Sequence, residues 1–409
     1  MALPARGRAA LRALEHRDFR LFFAGQGVSI IGTWVQSIAM GWLLYRLTGS
    51  PLMLGLAAFL SQAPVLVVAP VAGWLGERFP RRRVLLFTQG ALLLQAVALG
   101  ALALAEIATP PVLLGMALVQ GLLSGLDTPV RQSFLADMVP DRADLPNAIA
   151  LNSFLMNGGR LLGPPVAGLL LAHVSEGVCF LVNGASYAAV IAAVRSMGSG
   201  SGVGERYATG AGAWNEALRF CWRTPLVRHL LPLVMAASFF VSPYVTLMPA
   251  MAREVFGGGP RTLGLLVGAA GLGGVTATAF LASRTGLGGL GRFSHAACAM
   301  AGASLLAFSQ VNWLPLGMAL MFAVGAGIIG TASSVNMQLQ SGVEERFRTR
   351  VVSLYVMGFL GLAPVGGLWA GALASHVGAP ATLAAGGAAC LAVAAVGAWR
   401  ESRGPASLP

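Results

Sequence analysis

Long runs of apolar residues alternate with short polar stretches along the whole chain. A helix needs about 20 consecutive apolar residues to cross the hydrocarbon core of a bilayer. At that length the chain contains twelve candidate crossings, at residues 20–45, 52–76, 84–105, 111–134, 147–171, 177–197, 226–251, 261–283, 292–310, 314–338, 350–375 and 380–399. The runs are continuous and lack strict alternation, which excludes a transmembrane barrel. The pattern therefore predicts an all-α integral membrane protein with twelve transmembrane helices.

The arginines between the apolar runs predict how the chain is oriented. All 27 basic residues are arginine, and most of them fall in loops on the same side as the N-terminus. Only Arg46, Arg253 and Arg261 fall on the opposite side, and Arg160 lies within a crossing. Because basic residues concentrate on the cytoplasmic side of a membrane, we expect both termini in the cytoplasm. The chain is then a multi-pass protein of a bacterial cytoplasmic (inner) membrane.

The crossings divide into two sets of six that resemble each other. The longest polar interruption begins Gly/Ser-rich and then has the pattern of a short amphipathic helix at residues 214–221. We predict a six-helix bundle at 1–197, a cytoplasmic linker at 198–225 and a second bundle at 226–409. Pro-x-x-Leu-Gly-Leu opens segment 2 at Pro51 and segment 8 at Pro260. Such pseudo-symmetric halves are typical of secondary transporters, in which the substrate binds between the repeats near the midplane.

The composition agrees with a membrane protein and narrows the possible partners. The chain is 56% hydrophobic and 10% charged, whereas soluble proteins carry about 25% charged residues. The net charge of +12 could suit a nucleic acid, but the arginines lie in short clusters beside apolar runs, so we expect no nucleic-acid partner. The expected partners are the lipid bilayer, a small-molecule substrate and protons, and the chain is expected to be a monomer.

No catalytic or metal-binding pattern stands out. The four cysteines are isolated, without CxxC spacing, and the five histidines are scattered. No Ser/His/Asp set, HExxH sequence or phosphate-binding glycine loop is present. The sequence therefore predicts no catalytic residues, no metal site and no cofactor, and a membrane enzyme remains only a remote alternative.

Polar side chains recur on one face of segments 1, 4, 7 and 10. Their helical spacing predicts that these four helices surround a wet cavity. Hydrogen bonding between helices is the alternative reading, and for any single Ser or Thr it is the commoner use. The candidate cavity residues are Gln26, Thr33, Gln36, Gln120, Ser124, Ser242, Thr246, Thr331, Ser334 and Gln338.

Three charges lie well inside the predicted crossings: Asp127, Arg131 and Arg160. A lone charge in hydrocarbon costs at least about 2.5–3.5 kcal/mol, so each should face a partner or a watery cavity. Asp127 and Arg131 are four residues apart on one helical face, and we expect them to form an ion pair. Arg160 is the candidate contact for an anionic or polar substrate.

The most specific motif lies between segments 2 and 3. It reads Gly73-Trp-Leu-Gly-Glu77-Arg78-Phe-Pro-Arg81-Arg82-Arg and resembles the loop signature of the major facilitator superfamily, Gly-x-x-x-Asp-Arg-x-Gly-Arg-Arg. Glu replaces the usual Asp, and a proline at position 80, which stiffens the turn, replaces the second Gly.

Two further stretches carry the same resemblance. Gly159-x-x-x-Gly163-Pro164, with Gly168 as a partial match, is similar to the segment-5 motif of the superfamily's drug and metabolite antiporters. Residues 128–153 resemble the branch that contains enterobactin-exporter-like and macrolide-efflux-like proteins. The resemblance covers about residues 15–402 and implies the major facilitator fold: two six-helix bundles that rock about a central cavity and export a small molecule in exchange for protons.

The resemblance also suggests roles for particular residues. Asp127, with Arg131, is the candidate for proton coupling, and a purely structural ion pair is the alternative. A cytoplasmic gate is expected from Gly73, Glu77, Arg78, Arg81 and Arg82 of the loop with Asp137 at the end of segment 4. Gly159, Gly163, Pro164 and Gly168 are expected to shape the contact between the halves, with close packing as the alternative. A lysophospholipid-type transporter or a facilitative importer remains the alternative function.

Overall fold

The computed structural model describes residues 11–139, 141, 143–198, 224–284, 286 and 288–403. Every regular element within these ranges is helical, which confirms the predicted fold class. By their internal packing, the described residues fall into two compact units, one of 11–47 and 60–198 and the other of 48–59 and 224–403. The predicted boundaries at 198 and 225 adjoin residues 199–223, which lie outside the described ranges together with the predicted amphipathic helix.

Six long helices occupy the first half of the sequence. They are α1 (Arg17–Thr48), α2 (Pro51–Arg78), α3 (Arg81–Leu104), α4 (Pro110–Asp137), α5 (Leu145–Leu171) and α6 (Glu176–Ser196). A short 3₁₀ turn at Arg12–Glu15 precedes α1. Proline occupies the first turn of α2, α4 and α5, where its missing N–H costs nothing and its fixed φ favours the helix.

Six further helical segments follow residue 224. They are α7 (Leu226–Val255), α8 (Pro260–Ala282), α9 (Leu290–Phe308), α10 (Leu314–Gly342), α11 (Arg350–Val377) and α12 (Ala379–Arg403). A π-helical turn interrupts α7 at Ala237–Val241, a second one forms its end at Met251–Val255, and a third interrupts α11 at Met357–Gly361. Such turns bend a helix and occur often at functional sites.

Each of the twelve predicted crossings corresponds to one of these segments in the described chain. Ten helices there are long and apolar enough to cross a membrane. The other two are α5 and α9. Their sequences contain polar residues inside the apolar run, with Arg160 in α5 and Arg292 in α9. Several helices extend past the predicted limits because their ends continue into polar sequence, as α1 does from Arg17 to Thr48.

In the first unit, a hydrophobic core lies where α1 begins and α4 ends. Phe19, Phe22, Leu85 and Phe134 are among its buried members. The same end of the unit carries the starts of α1, α3 and α5, the ends of α2, α4 and α6, and most of the unit's arginines. We call it the arginine-rich end.

In the second unit, α10 packs against α8 and α9, and α9 packs against α12. Glycines make these contacts close: a Cβ on Gly325 would overlap the backbone of Ala270, and one on Gly327 would lie 2.6 Å from the carbonyl oxygen of Ala297. Gly378, between α11 and α12, has a φ of 85°, a left-handed conformation that glycine adopts without steric cost.

Candidate functional site

A buried carboxylate, Asp127 in α4, is held by three side chains of the first unit. Its Oδ1 accepts hydrogen bonds from Thr88 Oγ1 at 2.8 Å and from Gln89 Nε2 at 2.9 Å. Its Oδ2 lies 3.2 Å from Nε of Arg131. The aspartate is 4% exposed, so one cation and two neutral donors replace the water that a carboxylate needs.

The four-residue spacing correctly predicted the Asp127–Arg131 ion pair, whereas their role in proton coupling stays a prediction. Thr88 and Gln89, both on α3, were missed. Their only signal in the sequence is two adjacent polar residues inside an apolar run. Gln89 Oε1 is buried without a hydrogen-bond partner among the described residues, so this cluster has a spare acceptor beside its carboxylate.

The loop motif and α4 meet at the arginine-rich end of the same unit. Arg81 Nη1 lies 2.7 Å from Asp137 Oδ1, and the two side chains are 17% and 14% exposed. Sequence left Arg78, Arg81 and Arg82 as possible partners of Asp137, and Arg81 is the one in contact. The second oxygen of Asp137 is buried and has no hydrogen-bond partner among the described residues, which increases the dependence of this carboxylate on Arg81.

The other motif residues have different contacts. Arg82 Nη2 donates to the carbonyl oxygen of Arg195 at 2.9 Å, and the Arg78 guanidinium lies 5.4 Å from the centre of the Trp74 ring. A Cβ added to Gly73 would meet no atom within 4 Å. The side chain of Glu77 lies outside the described part, so its place in the expected gate stays a prediction.

A second polar cluster at the arginine-rich end ties the N-terminal 3₁₀ turn to the start of α5. Asp144 lies 3.0 Å from both Arg12 Nη2 and His16 Nε2. The backbone N–H of Ala13 donates to Asn147 Oδ1, also at 3.0 Å. This cluster was not predicted, because its partners are separated by more than a hundred residues in the sequence.

The glycines of α5 pack against α1 within the first unit. A Cβ on Gly159 would overlap the Ile30 side chain, and one on Gly163 would lie 2.5 Å from Cβ of Trp34. Pro164 and Gly168 are also buried. Close packing, one of the two readings of this motif, therefore accounts for Gly159 and Gly163.

Arg160 follows Gly159 but is exposed and forms no ion pair with any described residue. It is thus a charge without a carboxylate partner inside a helix of a membrane protein. This is the state expected of a side chain that faces water or a ligand.

Some of the candidate polar residues of α1 and α4 are buried in contacts between helices, and others are partly exposed. Gln36 is 0% exposed; its Nε2 donates to Gln95 and Gln120, each at 3.2 Å, and its Oε1 accepts from Asn183 at 2.7 Å. Gln36 is therefore a packing residue in this structure. Gln120 and two further candidates, Thr33 and Ser124, are half-buried.

Gln26, the remaining candidate on α1, is 5% exposed, and its Oε1 has no hydrogen-bond partner among the described residues. This buried acceptor faces other protein atoms in the described unit and leaves one hydrogen bond unmade.

In the second unit, the polar stripe of α10 is used for helix packing. Ser334 Oγ lies 2.7 Å from Ser294 Oγ of α9, and Gln338 Nε2 donates to the same hydroxyl at 2.8 Å. Thr331 is 0% exposed and donates to the carbonyl of Gly327, one turn earlier. Hydrogen bonding between and within helices, the alternative left open above, thus describes these three residues better than a wet cavity does.

Ser242 and Thr246 of α7 are half-buried, so they remain candidates for substrate contact. Nearby, Ser238 lies in the first π-helical turn of α7 and donates to the carbonyl oxygen of Phe359, in the π-helical turn of α11, at 2.5 Å. One hydrogen bond therefore joins the irregular turns of these two helices, and such turns occur often at functional sites.

Comparison with known proteins identifies the family. The sequence model of the family described as "Transmembrane secretion effector" matches residues 8–403. The chain is 25% identical to the staphyloferrin A transporter of Staphylococcus aureus over 355 residues, and this alignment covers 85% of this chain and 87% of the relative. It is 27% identical over 381 residues to the multidrug efflux pump Tap of Mycolicibacterium fortuitum, covering 88% of both chains.

Solved structures agree on the fold. A bacterial homologue of the human lysosomal transporter Spinster, in an inward-facing and occupied conformation, matches with a TM-score of 0.74 at 14% identity over 99% of this chain and 100% of that one. The major facilitator fold and the absence of an enzymatic role, both predicted from sequence, are confirmed by these matches. The protein is a multi-pass membrane transporter for small molecules and belongs to the transmembrane secretion effector family of the major facilitator superfamily.

Proposed function

We propose that this transporter exports a small polar or anionic molecule, of the siderophore or drug class, across the bacterial inner membrane by alternating access, in exchange for protons. The names of its relatives, a staphyloferrin A transporter and a multidrug efflux pump, support the substrate class. The monomer is the proposed working unit. Because basic loops favour the cytoplasm, the arginine-rich end and both termini are placed there in this proposal.

The observation that carries the coupling role is the environment of Asp127. Placing a carboxylate inside a membrane helix costs several kcal/mol of free energy unless neighbouring charges and hydrogen-bond donors stabilise it. Here Arg131 supplies one charge, and Thr88 and Gln89 supply two donors. When the carboxylate takes up a proton, it loses its attraction for Arg131 and needs fewer donors, so a proton changes the hydrogen bonding of α3 and α4 together.

The gate is proposed to depend on Arg81 and Asp137. Their ion pair joins the start of α3 to the end of α4, and a few such contacts suffice to shift the balance between two states of similar free energy. Arg160, which is exposed and has no carboxylate partner in the part of the chain that the structure describes, is proposed to contact an anionic group of the substrate. An arginine binds carboxylate or phosphate through two parallel hydrogen bonds, which favours anionic cargo.

Reconstitution in proteoliposomes tests this function. We expect efflux of a siderophore or an anionic dye to require an imposed proton gradient. Asp127→Asn should abolish this gradient-driven efflux but still allow the substrate to exchange down its own gradient. Glu106→Gln is the matched control, because Glu106 is an exposed carboxylate in the α3–α4 connection. Gradient-driven efflux by Asp127→Asn at the control rate would reject the coupling role, and flux that persists with the gradient collapsed would indicate a facilitator.

A further inference from the structure

A groove of about 670 Å³ lies between α3 and α6 of the first unit. Its walls include Phe87 and Leu94, which are 69% and 68% exposed. Gly90, Ala91 and Ala188 also line it, and their small side chains leave room between the two helices. A Cβ on Gly90 would meet no atom within 4 Å, so the space there is open.

One end of this groove is cationic. Arg195, in the last turn of α6, lines it. The Arg195 side chain is exposed and forms no ion pair with any residue in the described ranges. Arg82 stands beside it, because its guanidinium donates to the backbone carbonyl of Arg195. The other lining residues, from Leu86 to Leu94 and from Ala188 to Ala192, are apolar.

The dimensions match one leaflet of a bilayer. Eight residues separate Leu86 from Leu94 on α3, which corresponds to about 12 Å along a helix. Half of the hydrocarbon core is about 15 Å thick. An apolar channel of this length with a guanidinium at its polar end has the charge and shape of a phospholipid: one acyl chain along the helices and a phosphate at the headgroup level.

We propose that this groove binds an anionic phospholipid, with one acyl chain between α3 and α6 and its phosphate on Arg195. The lipid is a bound component of the first unit and is distinct from the transported substrate. Because an arginine near the surface of an anionic membrane contributes a factor of about five in affinity, the site should prefer an anionic headgroup to a zwitterionic one by about that factor.

Native mass spectrometry of the purified full chain tests the site. The protein is titrated with phosphatidylglycerol and, separately, with phosphatidylcholine of the same acyl chains. We expect one tight site that favours phosphatidylglycerol about fivefold. Arg195→Gln should remove the preference, Arg195→Lys should keep it, and Gly90→Leu should remove the tight site by filling the groove.

Two control variants change a glycine and an arginine that do not line the groove. Gly115→Leu places the same side chain at another helical glycine with open space around its Cβ, and Arg292→Gln removes an exposed arginine at the start of α9. Both should bind phosphatidylglycerol as the wild type does. A melting temperature within the range of these controls establishes that Arg195→Gln and Gly90→Leu are folded.

Four results would overturn the proposal. If Gly90→Leu retained the tight site, the groove would not be where the lipid binds. If Arg195→Gln retained the fivefold preference, the arginine would not bind the headgroup. Displacement of the lipid by inorganic phosphate or glycerol 3-phosphate alone would indicate a site for a free anion. A wild-type dimer that Gly90→Leu converts to monomers would show that a second copy of the chain, and not lipid, occupies the groove.

Discussion

The Arg81–Asp137 ion pair gives the sharpest test of the arginine-rich end. The two side chains are 2.7 Å apart and largely buried, with 17% and 14% exposed. Within the described ranges, Arg81→Ala leaves both oxygens of Asp137 without a basic partner, because Oδ2 is already buried there without a hydrogen bond. Asp137→Ala leaves a mostly buried guanidinium whose other contact is a long one, 3.5 Å to the carbonyl oxygen of Ser133.

The degree of burial sets the expected magnitude. An exposed ion pair contributes about 0–1 kcal/mol to stability, whereas removal of one partner from a buried pair costs about 3–5 kcal/mol. The exposure of Arg81 and Asp137 lies between these cases, so each alanine variant should lower the free energy of unfolding by about 2 kcal/mol. The double variant should lower the free energy of unfolding by about 2 kcal/mol as well, and not by the sum of the two single losses, because it leaves neither charge buried without its partner.

Reversible unfolding in mixed micelles measures this double-mutant cycle. We expect a coupling free energy of about 2 kcal/mol, which corresponds to about 30-fold in an equilibrium constant. Arg83→Ala is the matched control, since Arg83 is exposed in the same run of arginines, and it should change the unfolding free energy by less than about 0.5 kcal/mol. A double variant whose loss equals the sum of the single losses within about 0.5 kcal/mol would refute the assignment.

Further predictions follow from the buried contacts of the first unit. Gln36→Leu should lower the free energy of unfolding by at least about 2 kcal/mol, because it leaves three amide groups unpaired. Gly163→Leu should lower the thermal midpoint through about 1–3 kcal/mol of overpacking against Trp34, whereas Gly115→Leu should not. Gln89→Leu should leave stability nearly unchanged, since it removes one hydrogen bond to Asp127 together with an acceptor that has no partner among the described residues. It should nevertheless slow gradient-driven transport, and a normal transport rate would argue against a coupling role for Gln89.

The positions of the helices were predictable because two local signals coincide. Apolar runs of bilayer length locate the crossings, and proline in the first turn locates several helix starts, as at Pro51 and Pro260. The ends were predicted less well, since a helix continues beyond the apolar run into sequence such as Arg17–Arg20 or Ala136–Asp137. The π-helical turns in α7 and α11 have no comparable signal in hydropathy.

Contacts within one helix were more predictable than contacts between helices, although the Arg81–Asp137 pair between α3 and α4 was expected from the loop motif as one of three possibilities. The Asp127–Arg131 pair follows from a spacing of four residues. Thr88 and Gln89 reach Asp127 from another helix, and that contact depends on the rotation and depth of α3 relative to α4. For the same reason periodicity could not separate Gln36, which is fully bonded inside the unit, from Ser124, which is half-buried.

The two polar clusters of the first unit differ in a way that bears on transport. Around Gln36 each side-chain amide group of the central residue has a partner, and satisfied networks of this kind hold helices in one arrangement. Around Asp127 one acceptor, Gln89 Oε1, has no partner in the described ranges, and a carboxyl group at the centre can take up or release a proton. A coupling site must change its bonds when a proton arrives, so the incomplete cluster is the one suited to that role. The complete cluster joins α1, α3, α4 and α6 and is suited to keeping them together while the other cluster changes.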